Sequence, residues 1–164
     1  MPPIDRDQQL TPSLLDRLLD DEPGNQREAV KQRHQVLREM KLSVRRDLEN
    51  LLNTRWRCVS WPPNLEELET SLVNYGIPDF TGIRFASANT QDELRSILEA
   101  VIRRFEPRFS KVRVELITNA DSLDRTLRFR IDAMLHAEPV VEPVVFDTTL
   151  KTSTGDFEVV GGNQ

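Results

Sequence analysis

A single cysteine, Cys58, excludes any disulfide within the chain and fits a reducing compartment. The two histidines, His34 and His136, are far apart and lack neighbouring cysteine, so no metal-ligand spacing arises. Only six glycines occur, and none falls in a phosphate-cradling or dinucleotide-binding pattern. No apolar run nears the roughly 18 residues of a membrane span. The opening residues, Met1 to Asp7, are polar and carry no apolar leader segment, the pattern expected of a cytoplasmic protein. These scarcities leave no expected cofactor, metal, small-molecule ligand or membrane insertion.

The hydrophobic fraction, 38%, is low for the 164-residue length, and the charged fraction, 30%, is high. That balance suits one domain with a modest core and polar extensions or assembly surfaces. The net charge of −5 argues against nucleic acid as a partner. Charge is uneven, however: residues 27–57 hold nine Lys/Arg against four acids, while residues 1–26 hold two Arg against six acids. The basic block is either a solvated helix face or a docking surface for an acidic protein. Aromatic residues other than Trp56 do not interleave with it, which disfavours single-stranded nucleic acid.

Residues 1–25 read as an arm. Leu14, Leu15, Leu18 and Leu19 share helical spacing after Thr11-Pro12, and Pro23-Gly24 ends the pattern. Such a helix either pegs into a neighbouring subunit or folds back on its own domain. Residues 26–164 form the domain, with its core at about 40–150. Residues 26–42 are helix-compatible. Ser43 offers a cap for a further helix, whose apolar face is Val44, Leu48, Leu51 and Leu52. Leu65, Leu68 and Leu72 suggest a short helix closed by Asn74-Tyr75-Gly76. Leu94, Ile97, Leu98, Val101, Ile102 and Phe105 give a strong helix, with Thr90 and Glu93 as its capping box. The period then changes from 3.6 to 2. Val112, Val114 and Leu116 alternate with charge, as do Leu127, Phe129, Ile131, Ala133 and Leu135, and the turn-like Asn119–Ser122 makes the pair antiparallel. Glu138-Pro139 and Glu142-Pro143 interrupt. Strands near 144–150 and 157–160 follow, joined by Ser153-Thr154-Gly155. The pattern is α+β: a small single domain of helices on a mainly antiparallel sheet, with an N-terminal helical arm and a C-terminal β-hairpin.

The corner Phe105-Glu106-Pro107-Arg108-Phe109 holds an acid and a base two residues apart where a helix becomes a strand. Pro107 cannot extend the helix and turns Glu106 away from helical geometry. A bidentate arginine–carboxylate pair suits a buried brace or an interface. Glu106 pairs with Arg55 or another internal arginine, or else across a subunit boundary. Glycoside hydrolysis by Glu106 with Asp79 or Asp132 is a poor fit, because nearby arginines lower a carboxyl pKa when a general acid needs it raised. Cys58, between Trp56 and Trp61, reads as an apolar filler.

Three blocks together resemble a known family. Ser43-Val44-Arg45-Arg46-Asp47-Leu48-Glu49-Asn50-Leu51-Leu52-Asn53-Thr54-Arg55 resembles the start of the TssE baseplate component of type VI secretion systems. Ser71–Phe80 resembles its second block, and Phe105–Phe109 its Glu-Pro-Arg signature, with Phe109 in place of an aliphatic residue. The likeness spans about residues 40–150. The family is similar to a wedge protein of contractile phage tail baseplates, historically called lysozyme-related. The resemblance implies a non-catalytic subunit that joins other baseplate wedge subunits and starts the contractile sheath. Glu106, Pro107 and Arg108 then meet the helical core of the wedge, with Arg55 in the same partner-binding set. The terminal strands, through Val144, Phe146, Phe157 and Val159, offer sheath subunits a template. The alternative carried by the historical name is a peptidoglycan hydrolase using Glu106.

Overall fold

A computed structural model describes residues 10–19, 23–24, 31–56, 62, 64–80, 87–117, 126–138 and 140–162. The order of elements is α1 (Leu14–Leu18), α2 (Arg33–Asn53), two 3₁₀ turns (Glu66–Thr70 and Leu72–Asn74), α3 (Ala88–Phe105), then β1 (Phe109–Ile117), β2 (Thr126–Ala137), β3 (Val140–Lys151) and β4 (Asp156–Gly161). The strands form one antiparallel sheet in the order β1-β2-β3-β4.

Alternation along each strand decides which face is buried. Val112 and Val114 of β1, Phe129, Ile131, Ala133 and Leu135 of β2, Val144, Phe146 and Leu150 of β3, and Phe157 and Val159 of β4 all belong to one core. Above them lie Val44, Leu48, Leu51 and Leu52 of α2 and Leu94, Leu98, Val101 and Ile102 of α3, at the spacing of one helix face. Each such aliphatic side chain taken from water contributes about 1.5–3 kcal/mol before the entropy of ordering it. Arg113, Asp132, Val145 and Asp147 alternate with these core positions on the opposite face.

Four sequence expectations are corrected. Ser43 caps nothing: α2 runs unbroken for 21 residues, because no Gly or Pro interrupts it, and Ser43 lies on its flank. The strong helix starts at Ala88, before the expected Thr90 box. Ser87 is the N-cap, and its Oγ accepts the Thr90 N–H at 3.2 Å, so an earlier hydroxyl satisfies that orphan donor. The expected helix around Leu65–Leu72 is two 3₁₀ turns with Leu65 and Leu72 exposed, so those leucines supply no buried stripe.

The fourth correction is Glu142-Pro143, which does not interrupt. β3 passes straight through it, with Pro143 opposite Met134. The reason is positional. The Val145 carbonyl accepts the Gly162 N–H at 3.0 Å, so alternate residues from Val145 turn their backbone toward β4. Pro143 turns the same way, but β4 ends at Gly161 opposite Phe146. No described residue of β4 therefore stands opposite Pro143, and its missing N–H removes no ladder bond among the described residues. Gly161 itself has φ of 109°, and a Cβ there would stand 2.8 Å from the Val145 carbonyl oxygen.

α2 is fastened at both ends. Its first residue, Arg33, donates to the carbonyls of Ala137 and Glu138, at the end of β2. Its last turn reaches β4, described below. Gly76, at φ 110°, lets the following chain return beside α2, where Ile77 donates to the Thr54 carbonyl at 2.9 Å. The links at Asn119–Ser122 and around Cys58 lie outside the described residues.

Candidate functional site

The corner after α3 is built by its end. Glu106 is the C-cap, its N–H bonded to the Ile102 carbonyl at 2.9 Å, and its own carbonyl accepts from Phe109 at 3.2 Å. That turn points the carboxylate inward, where Glu106 is 5% exposed. Arg108 closes on it as a fork. Nε donates to Oε1 at 2.6 Å, Nη2 donates to Oε2, and the Arg108 N–H adds a bond to Oε1 at 3.3 Å.

Arg108 also ties the corner to α2. Nη2 donates to Asp47 Oδ2 at 2.7 Å, and Nη1 to Ser43 Oγ at 3.4 Å. Ser43 and Asp47 stand four residues apart on one flank of α2. Burial opposes the charge on Arg108, but its bonds to Glu106 and Asp47 outweigh this and raise its pKa further, so the guanidinium stays charged. Burial, with the nearby Asp47 and Glu106 charges, likewise raises the Tyr75 pKa. The side chain of Arg108 remains 23% exposed against 6% for Glu106, so it is the more accessible member of the pair.

The network continues to the arm. Asp16 of α1 accepts from Ser43 Oγ at 2.7 and 2.8 Å and from Arg46 Nη2 at 2.9 Å, while Arg46 also meets Asp47 at 3.3 Å. Burial pushes the Asp16 pKa up, but the Ser13, Ser43 and Arg46 bonds prevail and hold it below its ordinary 3.8. α1 is thus held through its polar side, with Leu10 buried beside it in sequence, while Leu14 and Leu18 are 76% and 81% exposed. Residues 10–19 of the arm thus fold back on the domain and still present leucines outward.

Arg55 is not Glu106's partner. It donates to the Leu52 and Gly155 carbonyls and so braces the β3–β4 turn. The side chains of Val144, Phe146, Phe157 and Val159 are packed in the core. β3 is paired on both sides by β2 and β4, so of these two strands only β4 has an outer backbone edge. At β4 that edge is partly taken: Asn53 Nδ2 donates to the Phe157 carbonyl at 2.8 Å, and Asn53 Oδ1 accepts the Phe157 N–H at 2.8 Å. Asn53, Asp47 and Asp16 were not singled out in the sequence, and Ser43 was singled out only as a cap. Of these, only the four-residue spacing of Ser43 and Asp47 was visible in the sequence.

Glu106 is poorly disposed for acid catalysis. Both its oxygens are held by Arg108, whereas a general acid needs a proton to deliver. Asp132, one proposed partner, alternates with buried Ile131 and Ala133 and so lies on the sheet face turned from the helices. Among the described residues no group of three or more His, Cys, Asp or Glu side chains is placed to hold a metal. No described helix is long and apolar enough to cross a membrane.

The fold is an α+β domain in which α2 and the end of α3 meet at an arginine corner, and comparison with known proteins gives its family. The family model described as baseplate wedge protein gp25 matches residues 38–140, more than half of the chain. The chain belongs to this family, which includes TssE, and is a phage-baseplate-like wedge protein. No curated protein matches the chain. The matched span runs from α2 through the corner to the start of β3 and so contains the Glu106–Arg108–Asp47 brace.

Proposed function

We propose that the chain is the type VI secretion member of its family, a non-catalytic baseplate wedge subunit working in the cytoplasm on a membrane-docked baseplate. It joins the other wedge subunits and links them to the contractile sheath, whose assembly it starts. The observation that carries this reading is the family match over residues 38–140, which takes in the three sequence blocks in order. In the wedge, Arg108 is the contact residue of the corner. Glu106 and Asp47 hold its fork in one orientation, so a partner meets a guanidinium with little ordering left to do. Pro107 fixes the turn that sets this geometry.

Co-purification with the other wedge subunits tests the role. Wild type forms a stable complex, and Arg108→Lys, which keeps the charge but loses the fork over the buried Glu106, weakens it at least tenfold in a chain that is less stable yet still folded. A complex indifferent to Arg108→Lys makes the corner an internal brace only. Absence of a complex with wild type overturns the role itself.

The sheath link uses backbone rather than the core side chains of β3 and β4. Deleting residues 144–164 is therefore a poor test, since it removes Val144, Phe146, Phe157 and Val159 from the core. Val160, which is exposed, is the better position. Val160→Lys places a charge on the β4 edge strand, and sheath initiation falls while wedge assembly persists. Normal sheaths from this variant would sink the link.

A further inference from the structure

α1 is built inside out. A surface helix ordinarily turns its apolar stripe to the core and its charges to water. Here the carboxylate of Asp16 faces the domain, tied to Ser43 and Arg46 of α2, while Leu14 and Leu18 stand largely in water and Leu15 and Leu19 are half exposed. The four leucines fall at i, i+1, i+4 and i+5, a single ridge, and no residue of α1 is buried. A lone exposed leucine is ordinary. Four on one short helix, held in place by polar bonds on its other side, form a presented apolar patch.

Two features say what fits the patch. The first is place. Ser43 Oγ donates to Asp16 at 2.7 Å and accepts from Arg108 Nη1 at 3.4 Å, so one hydroxyl joins α1 to the Glu106–Arg108 corner. The second is charge. Residues 1–26 hold six acids against two Arg. In the network beneath α1, the carboxylates of Asp16, Asp47 and Glu106 share only two guanidiniums, those of Arg46 and Arg108. The leucine ridge is therefore bordered by net negative charge, and its complement is an apolar surface with a basic margin. A ridge of side chains four residues apart packs into the groove of another helix.

We propose that the leucine ridge of α1 docks a basic amphipathic helix of a wedge subunit, extending the contact at Arg108. This rests on the reading of that corner as the wedge contact. The ridge itself lies before residues 38–140, the span shared with the family, so the family match does not supply it. The Asp16 bonds hold the ridge in position in the free chain, which leaves little to order on binding.

The test uses the full chain and two synthetic amphipathic helical peptides, one of leucine and lysine and one of leucine and glutamate. Wild type binds the leucine–lysine peptide at least tenfold more tightly than the other. Leu14→Ser combined with Leu18→Ser weakens that binding at least tenfold and leaves the melting temperature unchanged, because both side chains are already in water. Asp16→Asn, which loosens the arm and keeps the leucines, weakens it at least threefold. The leucine double variant also weakens the complex with wedge subunits. Equal binding of the two peptides, or peptide binding indifferent to the double variant, overturns the proposal. So does a free wild-type chain that sediments as a dimer and a double variant that does not, since a second copy then covers the ridge. A wild-type wedge complex that the double variant leaves intact overturns the proposal and spares the wedge role. A wild-type chain that enters no wedge complex, yet binds the leucine–lysine peptide through Leu14 and Leu18, supports the docking ridge and removes the wedge as its partner.

Discussion

The two edges of the sheet are guarded in different ways. At β4 a neutral amide makes two bonds of 2.8 Å to one residue, and Arg55 holds the adjoining turn. At β1 an ion pair from α3 does the work. Glu99 accepts the Val114 N–H and Arg103 donates to the Val112 carbonyl, each at 3.4 Å, with 2.6 Å between the two side chains. Those backbone bonds are long, Arg103 is largely exposed, and salt screens the pair. The difference teaches that edge protection can be either shape-specific or merely electrostatic.

Ways to break this comparison run from large to small. Phe157→Ala removes a core ring beneath the β4 edge and costs about 3–5 kcal/mol in chemical denaturation. A loss below about 1 kcal/mol would mean that β4 is only loosely packed. Glu106→Ala strips the fork from Arg108 and leaves a half-buried cation short of partners, for a loss of about 2–3 kcal/mol. Asn53→Ala costs about 1–2 kcal/mol, with faster exchange confined to the β4 edge around Phe157. Arg103→Ala at the other edge costs under about 1 kcal/mol and shrinks further in high salt. If Arg103→Ala proved as costly as Asn53→Ala, the contrast between the edges would collapse.

The smallest effect is a pH response of the arm. The folded pKa of Asp16 lies below its ordinary 3.8, so its stabilising share is complete above that value. It is lost as pH falls from about 3.8 through the folded pKa. Protease cutting within residues 10–19 therefore rises in that acidic range ahead of global unfolding, and Asp16→Asn shows the faster cutting at neutral pH. Cutting insensitive to both would mean that Leu10, rather than Asp16, holds the arm.

Much of the fold was legible because it depends on local periods. The α3 stripe from Leu94 to Phe105 and the alternation through Phe129 and Ile131 fixed the layers, and with them the antiparallel sheet. Local signals misled where a distant contact decided the outcome. Ser43 has the residue type of a cap, but the unbroken helix around it frees its hydroxyl for Asp16. Pro143 reads as a strand breaker, but β3 runs through it because no described residue of β4 stands opposite to need its N–H. The Glu106–Arg108 fork was visible at two-residue spacing. The Asn53–Phe157 contact was not, because 104 residues separate the pair and no period links them.

The most direct measurement is co-purification of the wild-type chain with the remaining baseplate wedge subunits, beside Arg108→Lys. A stable wild-type complex, weakened at least tenfold by loss of the arginine fork in a chain that remains folded, is the expected result. A folded wild-type chain that enters no such complex would contradict the assignment of this domain to the wedge.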